Sequence, residues 1–377
     1  MKPSITRIAT ASAALLAALL VAGCGGGATA DTTPQLAINS VKVFGDSIQD
    51  SGTFGYKFTV QSSDNLIYAE RIAANYGQTL CNFFVFTGTT FAANTAKTGC
   101  TNYAIGGGRI TYTGAGGAAN PLNIGTQMAT YAATGSYGNS DLVIIDGGGN
   151  DAADLVGAYL NAPKDSAQAY AALLGTLLTP AQIGAALQGG ATTTGAIGAT
   201  YMTALADKFA AAIKASVLDK GATHVVVMNM PDVSYTPRFQ MVLDGIAAAY
   251  GGGSAGAAAR AQSQALFQGW MTAFNTQLAA KFAGNDAVIV IDFYKAFQDQ
   301  VATPAQFGLS NVSTPACPIK GVGSDGLPTY DFPTCTPSTA AAGWQSYAFS
   351  DSFHPTPYGH QLTQQLIAKS LATKGWL

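Results

Sequence analysis

Four short runs of β-branched and other apolar residues constrain this 377-residue chain more than any other feature. They are SVKVF (Ser40–Phe44), DLVIID (Asp141–Asp146), HVVVMNM (His224–Met230) and AVIVIDF (Ala287–Phe293). A strand with one wet face alternates apolar and polar residues. Near-continuous apolar runs suit strands buried on both faces of a parallel sheet. Helical patterns separate them, at Asn65–Tyr76, Ala199–Leu218, Ala257–Phe282 and Pro357–Ala372. Pro357 in the first turn is a favourable helix start. Strand and helix in repetition predict a three-layer α/β sandwich with a mainly parallel central sheet. One domain over 38–377 is expected, with an Ala/Gly-rich insertion at about 153–197 that reads as helices or a lid.

Charge narrows the partners. Charged residues make up 10% of the chain and the net charge is −2, with no basic cluster. Nucleic acid is therefore not an expected partner, and such low charge with high hydrophobicity does not describe a disordered chain.

The N-terminus reads as a leader. Lys2 and Arg7 precede an apolar run from Ile8 to Ala22, too short to span a membrane comfortably. The run ends in VAGC, so residues 1–23 look like a lipoprotein signal, with Cys24 the acylated first residue of the mature chain. Residues 24–37, rich in Gly, Ala and Thr, read as a flexible tether. An alternative cut at Ala28-Thr29-Ala30 would release the protein instead. The expected place is the cell envelope, as a lipid-anchored outer-membrane protein, with periplasmic or secreted forms as alternatives. Four further cysteines, an even number in an exported chain, suggest disulfides. Spacing favours Cys81–Cys100 and Cys317–Cys335 over the two other pairings.

Three of the four runs end in polar or Gly-rich segments: GDS, GGGND and NMPD. Ligands of open α/β sheets bind beyond the carboxyl ends of the strands, so these segments should converge. FGDSIQDSG (Phe44–Gly52) then offers Ser47 as a nucleophile if a base is at hand. There are three histidines. His224 opens a strand and His360 falls on the final helix, both as structural residues. His354 lies in SDSFHPTPYGH, three residues after Asp351, a spacing that lets the carboxylate hold one ring nitrogen while the other faces a serine. Asn150 in GGND and a glycine of NYAIGGG (Asn102–Gly108) could donate to a developing oxyanion.

These blocks, in this order, resemble the SGNH (GDSL-type) hydrolase family over nearly the whole mature chain. FGDSIQDSG is similar to its first block, NYAIGGG to its second, GGGND (through Gly148, Asn150 and Asp151) to its third and DSFH to its last. The resemblance implies a flavodoxin-like sandwich and a serine esterase or lipase needing no cofactor. It implies Ser47 as nucleophile, His354 as base and Asp351 as its orienter. The oxyanion donors are then the Ser47 N–H, the Asn150 amide and Gly106, with Gly107 as the alternative glycine. The implied substrate is a small-molecule or lipid ester. The apolar composition points to an acyl or aromatic ester rather than a sugar. O-deacetylase, phospholipase, acyltransferase and polyester hydrolase activities are alternatives on the same site. A single chain, anchored by lipid, is the expected working unit.

Three rival readings stand beside this one. GGSAG (Gly252–Gly256) fits a G-x-S-x-G elbow, but no strand precedes it as that elbow requires. Asp351, His354 and His360 could form a three-ligand metal site, which leaves Ser47 and Asn150 idle. A non-catalytic lipid- or glycan-binding lipoprotein predicts the loss of a catalytic position, and every position is present.

Overall fold

The four apolar runs become the four strands of one parallel sheet. The structure is a computed structural model that describes residues 36–377. The leader, Cys24 and most of the tether therefore lie outside the described residues. Strand β1 (Ser40–Phe44) is followed by helix α1 (Tyr68–Asn75), a small antiparallel hairpin of β2 (Phe84–Phe86) and β3 (Phe91–Ala93), and α2 (Ile124–Thr134). Strand β4 (Asp141–Ile145) leads into α3 (Gly149–Asn161), α4 (Gln168–Leu174), α5 (Pro180–Gln188) and the long α6 (Ala191–Ser216). Strand β5 (Val225–Met228) is followed by α7 (Pro237–Ala249) and α8 (Gly253–Phe282). Strand β6 (Val288–Ile291), α9 (Phe293–Ala302) and, after a long loop region, α10 (Pro357–Lys374) complete the chain.

The sheet order is β1-β4-β5-β6, every pair parallel. A fifth, strand-like segment lies on the free edge of β1. There Val43 N–H donates to Thr101 O at 3.0 Å and Tyr103 N–H to Val43 O at 2.8 Å. Counting that segment, β1 has a neighbour on each side, and the chain winds outward from it in both directions. This is the flavodoxin-like arrangement, and its switch point lies between the carboxyl ends of β1 and β4.

Side chains alternate across the sheet into two cores. Val43, Leu142, Ile144, Val226 and Met228 pack against α1, α9 and α10. Phe44, Val143, Ile145, Val225 and Val227 pack against α2, α3, α6 and α8. Each such side chain contributes roughly 1.5–3 kcal/mol when fully removed from water, which is why both faces of these strands are apolar. The 153–197 segment is helical, as expected, and runs on into α6. Helices α6 and α8 begin before the expected Ala199 and Ala257, because their Ala, Gly and Thr residues supply no apolar period to mark a start. Among the described residues no helix is long and apolar enough to cross a membrane. Both expected disulfides, Cys81–Cys100 and Cys317–Cys335, are formed.

Candidate active site

At the switch point, β1 delivers Asp46 and Ser47 while β4 delivers Asp146 and, at the start of α3, Asn150 and Asp151. Ser47 is 4% exposed. His354 reaches it from the loop before α10, across 307 positions of sequence: its Nε2 lies 2.8 Å from the Ser47 Oγ. Nδ1 of the same ring lies 2.8 Å from Asp351 Oδ2. The other Asp351 oxygen accepts from the Phe353 N–H at 2.8 Å and the His354 N–H at 2.6 Å. Burial pushes the Asp351 carboxyl upward, but the adjacent imidazole and these bonds together hold it below the usual carboxylate range. Phe58 and Phe332 pack on the His354 ring, with centroids at 5.1 and 5.5 Å, so it is walled by aromatics.

Asn150 lies beside this pair, and the two candidate glycines differ in how their N–H groups are engaged. The Gly106 N–H donates to Asp50 Oδ2 at 2.8 Å and has nothing left for an oxyanion. Gly106 is a glycine for another reason: a Cβ there would sit 2.2 Å from the Phe58 ring. Gly107 has a φ of 81°, which favours glycine, and its N–H meets no acceptor among the described residues. The same holds for the Ser47 N–H. Asn150 Nδ2 donates to Gly108 O at 3.0 Å and makes a long 3.4 Å contact with Asp46 Oδ2, leaving its second hydrogen weakly held.

Asp50 and Asp151 are the residues whose part the sequence did not disclose. Asp50 Oδ1 accepts from the Gly52 N–H (2.9 Å) and the Thr53 N–H (2.7 Å), while Oδ2 takes Gly106. Asp151 accepts from the Ile110 N–H (3.0 Å) and the Thr111 N–H (2.9 Å). The glycine loop is thus pinned at both ends by buried carboxylates. Burial pushes each of them up to about 6, against the opposing pull of the backbone donors. The concentration of polar groups in FGDSIQDSG is a signal for this: Asp50 sits in a Gly-rich turn yet is fully buried.

Beneath the serine, Asp146 accepts from the Asp46 N–H (3.2 Å) and the Tyr68 hydroxyl (2.8 Å). Burial, reinforced by the charge of Asp46, drives it well above the usual carboxylate range. The remaining histidines stand apart. His360 is fully buried on α10, stacks on Tyr68, and receives the Tyr68 N–H at Nδ1 (3.4 Å), so it does not join Asp351 and His354 as a third ligand. Burial, with the charges of Arg71, His354 and Lys57, pulls it down to about 3. His224 lies just ahead of β5, edge-on to Trp376. Ser254 is exposed on the first turn of α8, with α7 rather than a strand before it.

The class these features define is a flavodoxin-like α/β sandwich with a Ser–His–Asp cluster at its switch point, the serine at the first strand's exit and a D-x-x-H loop closing over it. The chain belongs to the GDSL-like Lipase/Acylhydrolase family, whose model matches residues 41–367. It is similar to Lipase 1 of Photorhabdus luminescens, 26% identical over 361 residues. That match covers 89% of this chain and 50% of the relative, so the chain spans about half of that protein's length. Among solved structures, a member of the lipolytic G-D-S-L family from Veillonella parvula is 13% identical. The alignment has a TM-score of 0.37 and covers 88% of this chain and 98% of that one.

Proposed function

We propose that this protein is an exported serine hydrolase of carboxylic esters. The observation that carries the reading is the relay Asp351 Oδ2–His354 Nδ1 and His354 Nε2–Ser47 Oγ, both at 2.8 Å. Asp351 fixes the proton on Nδ1, which leaves Nε2 free to take the serine proton. Ser47 Oγ attacks the acyl carbon, and the carbonyl oxygen becomes an oxyanion received by the Ser47 N–H, the Gly107 N–H and the Asn150 amide. His354 returns its proton to the departing alcohol. A water molecule, deprotonated by His354, then attacks the acyl-serine and releases the acid with Ser47 restored. The name of the Photorhabdus relative and the family's description support an ester substrate. The two disulfides support an oxidising compartment. The VAGC ending of the leader is the basis for reading Cys24 as a lipid anchor to the outer membrane.

The test is covalent labelling with a fluorophosphonate together with turnover of p-nitrophenyl butyrate. Ser47→Ala should lose both, and Ser254→Ala should keep both. Retained turnover in Ser47→Ala would end this reading.

A further inference from the structure

Two concavities flank the Ser47–His354 pair, one lined by Ser47 and the other by His354, with Phe353 between them, and they differ in size and lining. One is an apolar pocket of about 70 Å³ reached past Ser47 and Gly149, walled by Met228, Val233, Phe293, Phe297, Phe349 and Phe353. The other is an open groove of about 920 Å³ that contains His354 and Asn150 and continues past Tyr330. Its walls carry two ion pairs, Arg109–Asp154 and Arg238–Asp325, each at 2.6 Å.

We propose that the small pocket takes the acyl tail and the groove takes the alcohol, so that the preferred substrates are short-chain acyl esters of bulky, hydroxyl-bearing alcohols. The inference rests on the hydrolase reading above and deepens it. At the tetrahedral carbon the oxyanion must face Gly107 and Asn150, and the leaving oxygen must face the His354 Nε2 that protonates it. His354 lines the groove and not the pocket, so the alcohol leaves into the groove. The acyl chain takes the remaining direction, along Ser47 into the aromatic pocket.

Size sets the chain length. A cavity of about 150 Å³ admits benzene, with six carbons, so about 70 Å³ admits roughly three carbons beyond the carbonyl, as in butyryl. A longer tail meets Phe293, Phe297 and Phe349, which belong to the packed core against α9 and α10. Opening it further forces side chains out of their rotamers. The groove is of the size that encloses whole ligands, and its charged walls suit hydroxyl groups better than a second alkyl chain. The proposal departs here from the expectation, drawn from apolar composition, of an acyl or aromatic ester rather than a sugar.

The experiment is a series of p-nitrophenyl esters from acetate to decanoate on the wild-type enzyme. It is paired with acetylated monosaccharides against ethyl acetate. Acetate and butyrate should exceed octanoate by about 100-fold or more in kcat/KM, and the acetylated sugar should exceed ethyl acetate. Phe297→Ala should move the optimum to longer chains, and Val233→Phe should confine it to acetate. Octanoate turned over as well as butyrate by the wild-type enzyme, or ethyl acetate preferred to the sugar ester, overturns the proposal while leaving the hydrolase reading intact. Loss of all ester turnover, with no labelling of Ser47, removes both.

Discussion

The two walls of the candidate active site are built by the same device and end in opposite electrostatic states. On one side Asp351 gathers the Phe353 and His354 N–H groups and shapes the loop that carries the base. On the other, Asp50 and Asp151 gather five backbone N–H groups and shape the glycine loop. All three carboxylates are buried. Only Asp351 has an imidazole within hydrogen-bonding distance, and only Asp351 is held below the usual carboxylate range. At Asp50 and Asp151 desolvation outweighs the backbone donors and the smaller help of the Thr53 side chain and of Arg109, so both rise to about 6. The two clamps of the glycine loop therefore titrate in mild acid, while Asp351, hydrogen-bonded to the imidazole, is held low.

The largest effect should come from the wall with the partner. Asp351→Asn should keep the loop's backbone bonds but present the wrong tautomer, lowering kcat on the order of 10⁴-fold with little change in Tm. A loss under tenfold would show that the imidazole does not depend on this carboxylate. Asn150→Ala tests the opposite wall and should cost about 10²–10³ in kcat. A fall in Tm with kcat unchanged would make Asn150 a scaffold residue instead.

Asp50→Asn, measured across pH, sharpens the contrast. It should cost about tenfold at pH 7.5 and remove the part of the acid limb centred near pH 6. The folded value of Asp50 lies above its unfolded value of 3.8. Its charged form therefore weakens the fold above about pH 6, and this penalty fades as pH falls toward 3.8. The Tm of Asp50→Asn minus that of wild type should accordingly be more positive at pH 7.5 than at pH 5. Buried His360, at about 3 against 6.5, pulls stability the other way. It contributes fully above 6.5 and less as pH falls, which is why the difference between variants is the informative quantity. An Asp50→Asn profile that superimposes on wild type would leave the clamp without a role in catalysis. The smallest effect belongs to Asp154→Ala, which breaks a partly exposed pair with Arg109. It should change stability by about 0.2–1 kcal/mol and p-nitrophenyl butyrate turnover less than threefold. Arg109 also donates to the Gly107 carbonyl at 2.6 Å, and a large loss would mean that it needs Asp154 to keep that bond.

What the sequence disclosed follows the range of each interaction. Strands β1, β4, β5 and β6 were legible because burial on both faces writes itself into consecutive residues. The Asp351–His354 pair was legible because its partners are three positions apart. The choice between Gly106 and Gly107 was not, since two adjacent identical residues differ only in φ and in a bond to Asp50, 56 positions away. Helices α2, α7 and α9 went unnoticed, although Thr236-Pro237 starts α7 with a side-chain cap on the Phe239 N–H. The hairpin β2–β3 is too short to show a pattern.

The 307 positions between the serine and its base also set a clock. A ribosome adding about 5–20 residues per second leaves Ser47 without His354 for roughly 15–60 s. During that time the serine has no base, and the chain carries a hydroxyl of ordinary reactivity. Competence arrives with the last few dozen residues, so a chain cut short before Asp351 is silent rather than partly active. Appearance of turnover would therefore time the completion of folding itself.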